Sequence, residues 1–201
     1  MNQGSVISIK SSLEIALERT KDVQAAPENL EASTHIKEGK KIVSRFLSES
    51  NFSLKDNIKG ISEREYKWFC DGIYDALTSN LNLPSDEFGL RRNRRAFEGL
   101  NVIISDKKKL QMISKELEKI FAQYLEERQQ LKENVDRQYA PKLQQKEEEL
   151  ARRTGARVRL DPSNDPEYAQ LLRQQLNLIE DRYGQVLQQV KDELILMYKS
   201  S

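Results

Sequence analysis

Residues 107–153 read KKKLQMISKELEKIFAQYLEERQQLKENVDRQYAPKLQQKEEELARR. Their apolar side chains recur at steps of three and four, the spacing of one face of an α-helix. These are Leu110, Ile113, Leu117, Ile120 and Tyr124, followed by Leu131, Val135, Tyr139 and Leu143. The pattern predicts a helix of roughly 65 to 70 Å at about 1.5 Å per residue. Because proline removes a backbone hydrogen bond and crowds the preceding turn, Pro141 predicts a kink near residues 138–141 and not an end.

A second long helix is predicted from residue 165 to about Tyr198. Asp165, Pro166 and Glu167 form a strong start, because they combine a capping aspartate, a proline in the first turn and an acidic residue favoured by the helix dipole. Residues 154–164 connect the two helices, with Gly155 as the expected C-terminal cap of the first. Two long amphipathic helices joined this way pair antiparallel. We therefore predict a helical hairpin over residues 105–201, with its tip near 154–165.

Shorter helices are predicted in the first hundred residues, over 12–22, 27–47, 62–81 and from about 86 to 104. The loop over 48–62 has room for one helical turn. Gly39 weakens the second prediction, since glycine costs about 1 kcal/mol relative to alanine inside a helix. The clearest apolar stripe, the expected centre of this region, is Tyr66, Phe69, Cys70, Ile73, Leu77 and Leu81. Inward-facing residues of the neighbouring helices include Leu30, Val43, Phe46, Phe88, Ala96 and Leu100. The predicted fold class is all-α, with a small N-terminal helical domain (1–104) followed by a long antiparallel coiled-coil-like hairpin (105–201).

Composition narrows the functional classes. The chain has 33 basic and 32 acidic side chains, so its net charge of +1 provides no global field toward nucleic acid or anionic lipid. The single cysteine excludes an internal disulfide framework, and no apolar run approaches membrane-spanning length. With no signal segment recognisable at the start, we expect a cytoplasmic protein without a membrane partner.

Catalytic motifs are missing from the sequence. His35 is the single histidine and lies on a polar helix, while Cys70 lies on an apolar face where a small core residue is expected. There is no Glu-x-x-His pair of the kind that binds two metals in helical bundles, and no glycine-rich phosphate loop. We therefore predict no catalytic, cofactor or metal site and expect that the protein is not an enzyme.

The predicted hairpin tip is the main candidate for partner binding. Four arginines and two apolar residues crowd a turn whose geometry needs neither. The predicted partner-binding residues are Arg152, Arg153, Arg157, Val158, Arg159 and Leu160. Apolar residues flanked by charge at the end of an arm fit a docking surface for a protein. The alternative is that the apolar residues fold back on the hairpin while the arginines face water. A carboxylate-bearing finger built on Asp161 and Asp165 is a weaker idea, because Asp165 is explained as a helix cap.

A second basic cluster, Arg91, Arg92, Arg94 and Arg95, supports a different hypothesis. Arginine binds phosphate oxygens in a bidentate manner, so these residues are a candidate nucleic-acid site. The alternative function is therefore nucleic-acid binding through the two arginine clusters, at 91–95 and 152–159. No aromatic residues alternate with them, which disfavours a base-stacking platform. A solvated helix face, or pairing with Asp86, Glu87 and Glu98, is the competing interpretation.

Self-association is a further prediction. The C-terminal helix carries extra apolar residues outside its main stripe, among them Leu171, Leu178, Leu187, Ile195 and Leu196. A stripe wider than one helix can cover suggests a third helix, from either the N-terminal domain or a second copy of the chain. A homodimer is favoured, because the predicted N-terminal helices are too short to cover the whole arm.

Three strings resemble an uncharacterised bacterial helical family associated with spirochaetes. They are Ile9-Lys10-Ser11-Ser12-Leu13-Glu14-Ile15-Ala16-Leu17-Glu18-Arg19-Thr20, Tyr139-Ala140-Pro141-Lys142-Leu143, and the tip from Arg153-Thr154-Gly155 to Leu160-Asp161-Pro162. The resemblance covers most of the chain. It implies a bacterial cytoplasmic setting and no active or binding residues.

Overall fold

The structure, a computed structural model, describes residues 27–201, and every regular element in that range is helical. The helices are α1 (Pro27–Ser48), α2 (Leu54–Ile58), α3 (Glu63–Ser79), α4 (Glu87–Ile103), α5 (Lys107–Thr154) and α6 (Pro166–Lys199), with a short 3-10 turn at Pro162–Asn164. The predicted all-α class is confirmed, and α2 is the single turn expected in the loop. The helix predicted over 12–22 lies outside the described residues.

The long helices α5 and α6 form the predicted antiparallel hairpin. Helix α5 has 48 residues, which corresponds to about 72 Å. Asp106 caps its start by accepting a hydrogen bond from the Lys109 backbone N–H (3.0 Å). The helix continues through Pro141 for more than three further turns, so the proline does not end it. The hairpin therefore has one long continuous arm, as the apolar spacing predicted.

Helices α1 and α3 make the closest helix contact of the N-terminal region, and two glycines allow it. A Cβ atom built on Gly39 would lie 2.3 Å from the Phe69 carbonyl oxygen, and one on Gly72 would lie 2.1 Å from the Ile36 carbonyl oxygen. Both positions are buried. Gly39, expected from the sequence to be a weak point in α1, is a packing requirement.

The main core joins the N-terminal helices to the base of the hairpin. Its fully buried members include Ile73 and Leu77 of α3, Leu117 and Phe121 of α5, and Leu194 of α6. One apolar cluster thus contains residues from both sides of the predicted boundary between 104 and 105. The division into two domains stays a prediction, since shared packing does not decide whether the parts fold separately.

Three residues predicted to face inward are exposed. Phe88 and Leu30 are each 66% accessible, and Tyr66 is 43% accessible. Phe88 lies in the first turn of α4 and off the face that buries Ala96 and Leu100. These predictions were wrong because each residue lies at a helix end, where the stripe extends past the neighbouring helices.

A buried asparagine fixes the connection between α3 and α4. The Asn93 side chain accepts a hydrogen bond from the Asn82 N–H (3.1 Å) and donates one to the Asn82 carbonyl oxygen (2.8 Å). Asn93 is the one polar residue in the core of the described chain. It therefore holds the loop that carries Pro84 against the start of α4, a role absent from the sequence predictions.

The C-terminal end of α6 packs on α3. The rings of Tyr198 and Tyr74 stack with centroids 4.5 Å apart, and the Tyr198 hydroxyl donates to Asp71 Oδ1 (2.8 Å). Burial raises the pKa of Tyr198, and the adjacent Asp71 carboxylate adds to this effect. The hairpin is thereby anchored at its base, which leaves the tip as its distant end. Over residues 27–201 no helix combines the length and apolar character needed to span a bilayer.

Candidate interaction site at the hairpin tip

The tip is built by local capping signals. Gly155 ends α5 in the left-handed conformation (φ 74°), and its N–H donates to the Ala151 carbonyl oxygen at 2.8 Å. Asp165 caps α6 by accepting from the Glu167 N–H at 3.0 Å, with Pro166 in the first turn. Both predicted caps are confirmed, and the turn begins and ends where the sequence indicated.

A charged network beneath the tip joins the two helices. The Lys146 ammonium of α5 lies 2.6 Å from Asp165 Oδ2 and 2.8 Å from Glu167 Oε2, and it donates to the Tyr139 hydroxyl at 3.1 Å. Lys142 adds a second contact to Glu167 Oε2 at 2.9 Å. We call these five residues the lysine network. Because Asp165 also caps α6, one ammonium fixes the start of α6 against α5.

The lysine network shifts the titration of its own members. The hydrogen bond from Lys146 lowers the pKa of Asp165 to about 2, and Lys146 together with Lys142 lowers the pKa of Glu167 to about 2. The same hydrogen bonds, first of all the one that Lys146 donates to Asp165, raise the pKa of Lys146 above its ordinary value. Both carboxylates thus stay ionised, and the network intact, throughout the neutral range.

We expect the lysine network to be lost in acid. Carboxylates whose pKa falls on folding contribute stability above their unfolded pKa of about 4, and this contribution disappears as the pH falls toward 2. Lys146→Met keeps the aliphatic stem but removes the ammonium, so its melting temperature lies below wild type at pH 7. The difference narrows between about pH 4 and 2, where Asp165 and Glu167 become protonated. Circular dichroism melts across this range measure it.

A matched control is Lys132→Met, an exposed α5 lysine in a single contact with Asp136 (3.6 Å). Because exposed pairs contribute about 0 to 1 kcal/mol, this variant stays close to wild type at every pH. A deficit for Lys146→Met that is constant from neutral pH to acid would contradict the role assigned to the lysine network.

Two tyrosines pack below the lysine network and form a second apolar cluster. The rings of Tyr139 and Tyr168 meet edge to face with centroids 5.5 Å apart, beside buried Val135. The Tyr168 hydroxyl donates to Asp136 Oδ1. Burial, together with this carboxylate, raises the pKa of Tyr168 to about 12. The distal arm therefore has its own packing, which holds the tip on an ordered support.

The two apolar tip residues have different environments. Val158 is 40% exposed, whereas Leu160 is half-buried and its N–H donates to Glu147 Oε1 at 2.7 Å. Leu160 lines a groove of about 720 Å³ with Leu143 and the charged members of the lysine network. Leu160 thus folds back on the hairpin, as the alternative interpretation of the tip expected. Val158 is the apolar side chain that faces outward.

The four tip arginines are all exposed. Arg152 and Arg153 lie in the last turn of α5, while Arg157 and Arg159 follow Gly155. Within residues 27–201, none of these guanidinium groups makes an ion pair, a hydrogen bond or an aromatic contact. The tip therefore carries four arginines that form no ion pair within the described chain. Whether these residues bind a partner stays a prediction.

The second arginine cluster is largely engaged within the protein. Arg94 pairs with Glu118 (3.1 Å), and Arg92 donates to the Asn80 side chain. Arg95 pairs with Glu98 (2.8 Å) and lies over the Phe46 ring, 3.9 Å from its centroid. It also donates to the carbonyl oxygens of Phe46, Ser50 and Phe52 at the end of α1. The structure thus gives Arg95 a packing role, and the nucleic-acid hypothesis for this cluster stays a prediction.

His35 and Cys70 take part in packing. Nδ1 of His35 lies 3.2 Å from Glu38, and its ring stacks on Trp68 with centroids 6.4 Å apart. Cys70 is buried, and burial raises the pKa of its thiol, which opposes nucleophilic reactivity. In the part of the chain described, no three histidine, cysteine or acidic side chains come together as a metal site.

Sequence reasoning missed the lysine network. Its signal was present, because Tyr139, Lys142 and Lys146 follow at helical spacing and face the Asp165-Pro166-Glu167 start of α6. Asp165 was recognised as a cap, but its second partner lies 19 residues earlier in the chain. The antiparallel register of the hairpin has to be known before that pairing can be seen.

Comparison with known proteins returned one family. A family model described as a family of unknown function (DUF6657) matches residues 55–195, which is more than half of the chain. No curated protein and no solved structure matches the chain. The match agrees with the expected resemblance to an uncharacterised family. It covers most of α2, all of α3 to α5, and α6 as far as Ile195.

Proposed function

The chain belongs to the DUF6657 family of unknown function, and we propose that it is a non-enzymatic protein–protein interaction or scaffold module that docks through its hairpin tip. The observation that carries this proposal is the set of four exposed arginines without an ion pair in the described chain, close in sequence to exposed Val158. Apolar contact with Val158 would supply the anchor, and the arginines would orient an acidic partner.

The construction of the tip supports this role. The Gly155 cap, the Asp165 cap and the lysine network fix both ends of the turn before any partner arrives. Association has to overcome the ordering entropy of the segments that bind, so a preorganised tip loses less free energy than a flexible loop. A long arm also presents the tip away from helices α1 to α4, so these helices do not obstruct a large partner.

Affinity purification with a four-arginine variant tests the proposal. Arg152, Arg153, Arg157 and Arg159 are changed together to glutamine, which keeps much of the side-chain size but removes the charge. Tagged wild type and variant are incubated with nuclease-treated lysate, and bound proteins are identified by mass spectrometry. We expect proteins retained by wild type to be reduced at least about tenfold with the variant, the effect of losing about 1.4 kcal/mol of binding free energy.

The matched control removes the same number of positive charges from the flank of α5. It changes four exposed lysines to glutamine: Lys108, Lys115, Lys119 and Lys132. Proteins that depend on the tip remain bound to this control. Identical protein sets for wild type and the tip variant would contradict tip docking and transfer the interaction to the helical flanks. A set that contains the chain alone would favour self-association.

The flanks are the second docking surface in the proposal. Leu178 and Leu196 of α6 are exposed large apolar residues on the surface of the hairpin. Both were among the residues expected to contact a third helix, and in the described chain neither belongs to a core cluster. They support a homodimer as part of the proposal.

A bacterial cytoplasmic setting also belongs to the proposal. It rests on the resemblance carried by the Tyr139–Leu143 and tip strings, and on a single cysteine, Cys70, which is buried as a free thiol. Cytoplasmic proteins rarely depend on disulfides, and a chain with one cysteine cannot form one internally.

A further inference from the structure

A second surface lies between α1 and α4, apart from the tip. It is a groove of about 750 Å³ with Leu47 and Ala76 on its apolar wall and Phe88, Arg91 and Arg92 along α4. Phe88, Arg91 and Arg92 are spaced i, i+3 and i+4, so they share one face of the helix. An exposed aromatic ring and two guanidinium groups therefore line one side of the same groove.

The charges of this groove are not balanced. Arg94 and Arg95 are paired with Glu118 and Glu98, respectively. Arg92 donates to the Asn80 side chain, an uncharged amide. Arg91 makes no ion pair or hydrogen bond within residues 27–201. Arg91 and Arg92 thus form no ion pair within residues 27–201. The charge of Arg91 does act on Asp86, whose pKa is lowered by the Gly89 N–H and further by this arginine.

We propose that this groove binds an acidic peptide segment of a partner protein. An apolar side chain of the segment would cover Phe88, and its carboxylates would pair with Arg91 and Arg92. Phe88 is 66% exposed, so covering it removes aromatic surface from water. Guanidinium groups bind carboxylates in a bidentate manner, which gives the pairing a defined geometry. Aromatic and arginine side chains are also the residue types that contribute most to binding at protein interfaces.

The composition of the groove favours a peptide over nucleic acid. Nucleic-acid affinity grows with the number of phosphates neutralised, and here two arginines lack an ion pair within residues 27–201. Phe88 is a single exposed ring, whereas single-stranded nucleic acid is bound by several aromatic side chains in succession.

Fluorescence anisotropy at low ionic strength tests the inference with the full chain. The probe is a short fluorescein-labelled peptide of alternating glutamate and leucine. A peptide with glutamine in place of glutamate, and labelled single-stranded DNA of equal length, serve as comparison ligands. We expect the glutamate peptide to bind wild type, and Arg91→Glu and Phe88→Ala each to weaken it by about tenfold. Both residues are exposed, so circular dichroism is expected to remain that of wild type.

Two controls separate this groove from the tip. Arg173→Glu reverses the charge of another exposed arginine that has no ion pair within residues 27–201, and the four-arginine tip variant removes the other basic cluster. Arg173→Glu is expected to bind the glutamate peptide as wild type does. In the background of the tip variant, Arg91→Glu and Phe88→Ala are expected to weaken binding of the peptide by the same factor as in wild type. Equal affinity for the glutamine peptide, or unchanged affinity in Arg91→Glu and Phe88→Ala, would overturn the inference. DNA binding that Arg91→Glu abolishes, without peptide binding, would overturn it in favour of nucleic acid. None of these results depends on tip docking.

Discussion

Gly72→Ala is expected to lower the free energy of unfolding by about 3 kcal/mol or more, because α1 and α3 cannot keep their separation around an added methyl group. The new Cβ would lie 2.1 Å from the Ile36 carbonyl oxygen and 2.8 Å from the carbonyl carbon. These are backbone atoms of a helix, so no side-chain rotation relieves the overlap. The helices have to move apart, and the packing of Val43, Phe69 and Ile73 changes with them. Urea unfolding followed by circular dichroism measures the loss.

Gly184→Ala is the matched control. Gly184 lies inside α6, and a Cβ built on it meets no other atom within 4 Å. Alanine has a higher helix propensity, so this variant is expected to gain about 0.5 to 1 kcal/mol. The same glycine-to-alanine substitution is thus expected to lower the free energy of unfolding at Gly72 and to raise it at Gly184. A Gly72→Ala protein as stable as wild type would show that α1 and α3 do not approach each other at these glycines.

This glycine contact illustrates what could not be predicted from sequence. Considered within α1 alone, Gly39 is a poor helix former. Its contribution to stability depends on where α3 crosses α1. That crossing pairs Gly39 with Phe69 and Gly72 with Ile36, more than 25 residues apart in the chain. The hairpin was predictable because its signals are local: apolar residues repeat along α5 and α6, and Gly155 and Asp165 mark the turn.

The candidate sites could likewise be predicted only in part from the sequence. The two basic clusters could be identified from the sequence, but not which arginines the fold engages. Arg95 donates to carbonyl oxygens 43 to 49 residues away, so its partners depend on tertiary structure. The tip arginines form no ion pair within residues 27–201, and only the structure shows this, because their spacing would also allow pairing with nearby carboxylates. The exposure of Phe88 also required the structure, because its helical spacing alone predicted a core residue.

Phe121 was overlooked for a related reason. The predicted stripe of α5 used Leu117, Ile120 and Tyr124, the residues expected to face a partner helix. Phe121 is 2% exposed and lies beside a narrow gap lined by Leu90 and Phe97 of α4. The first part of α5 therefore has two apolar faces, one of which packs on the N-terminal helices. A search of the sequence for a single apolar stripe identifies only one of these two faces.

Phe121→Ala is expected to lower the free energy of unfolding by about 3 to 5 kcal/mol, the cost of removing a buried aromatic ring and leaving a cavity. Because Phe121 joins α5 to α4, the loss should be shared by the N-terminal helices and the hairpin. Trp68, the single tryptophan, reports on α3 by fluorescence, while ellipticity is dominated by the long helices α5 and α6. Both signals are expected to shift to the same lower urea concentration.

Val135→Ala in the outer arm provides the comparison. It removes two methyl groups from the cluster below the tip, at a cost of about 1 to 2 kcal/mol. If the chain unfolds as one unit, this variant also moves both signals together, by a smaller amount. If instead Trp68 fluorescence keeps its wild-type midpoint in Val135→Ala while ellipticity shifts, the distal hairpin unfolds on its own. That result would contradict a single cooperative unit and favour separate folding units, because the core that surrounds Phe121 would then not transmit the loss to α3.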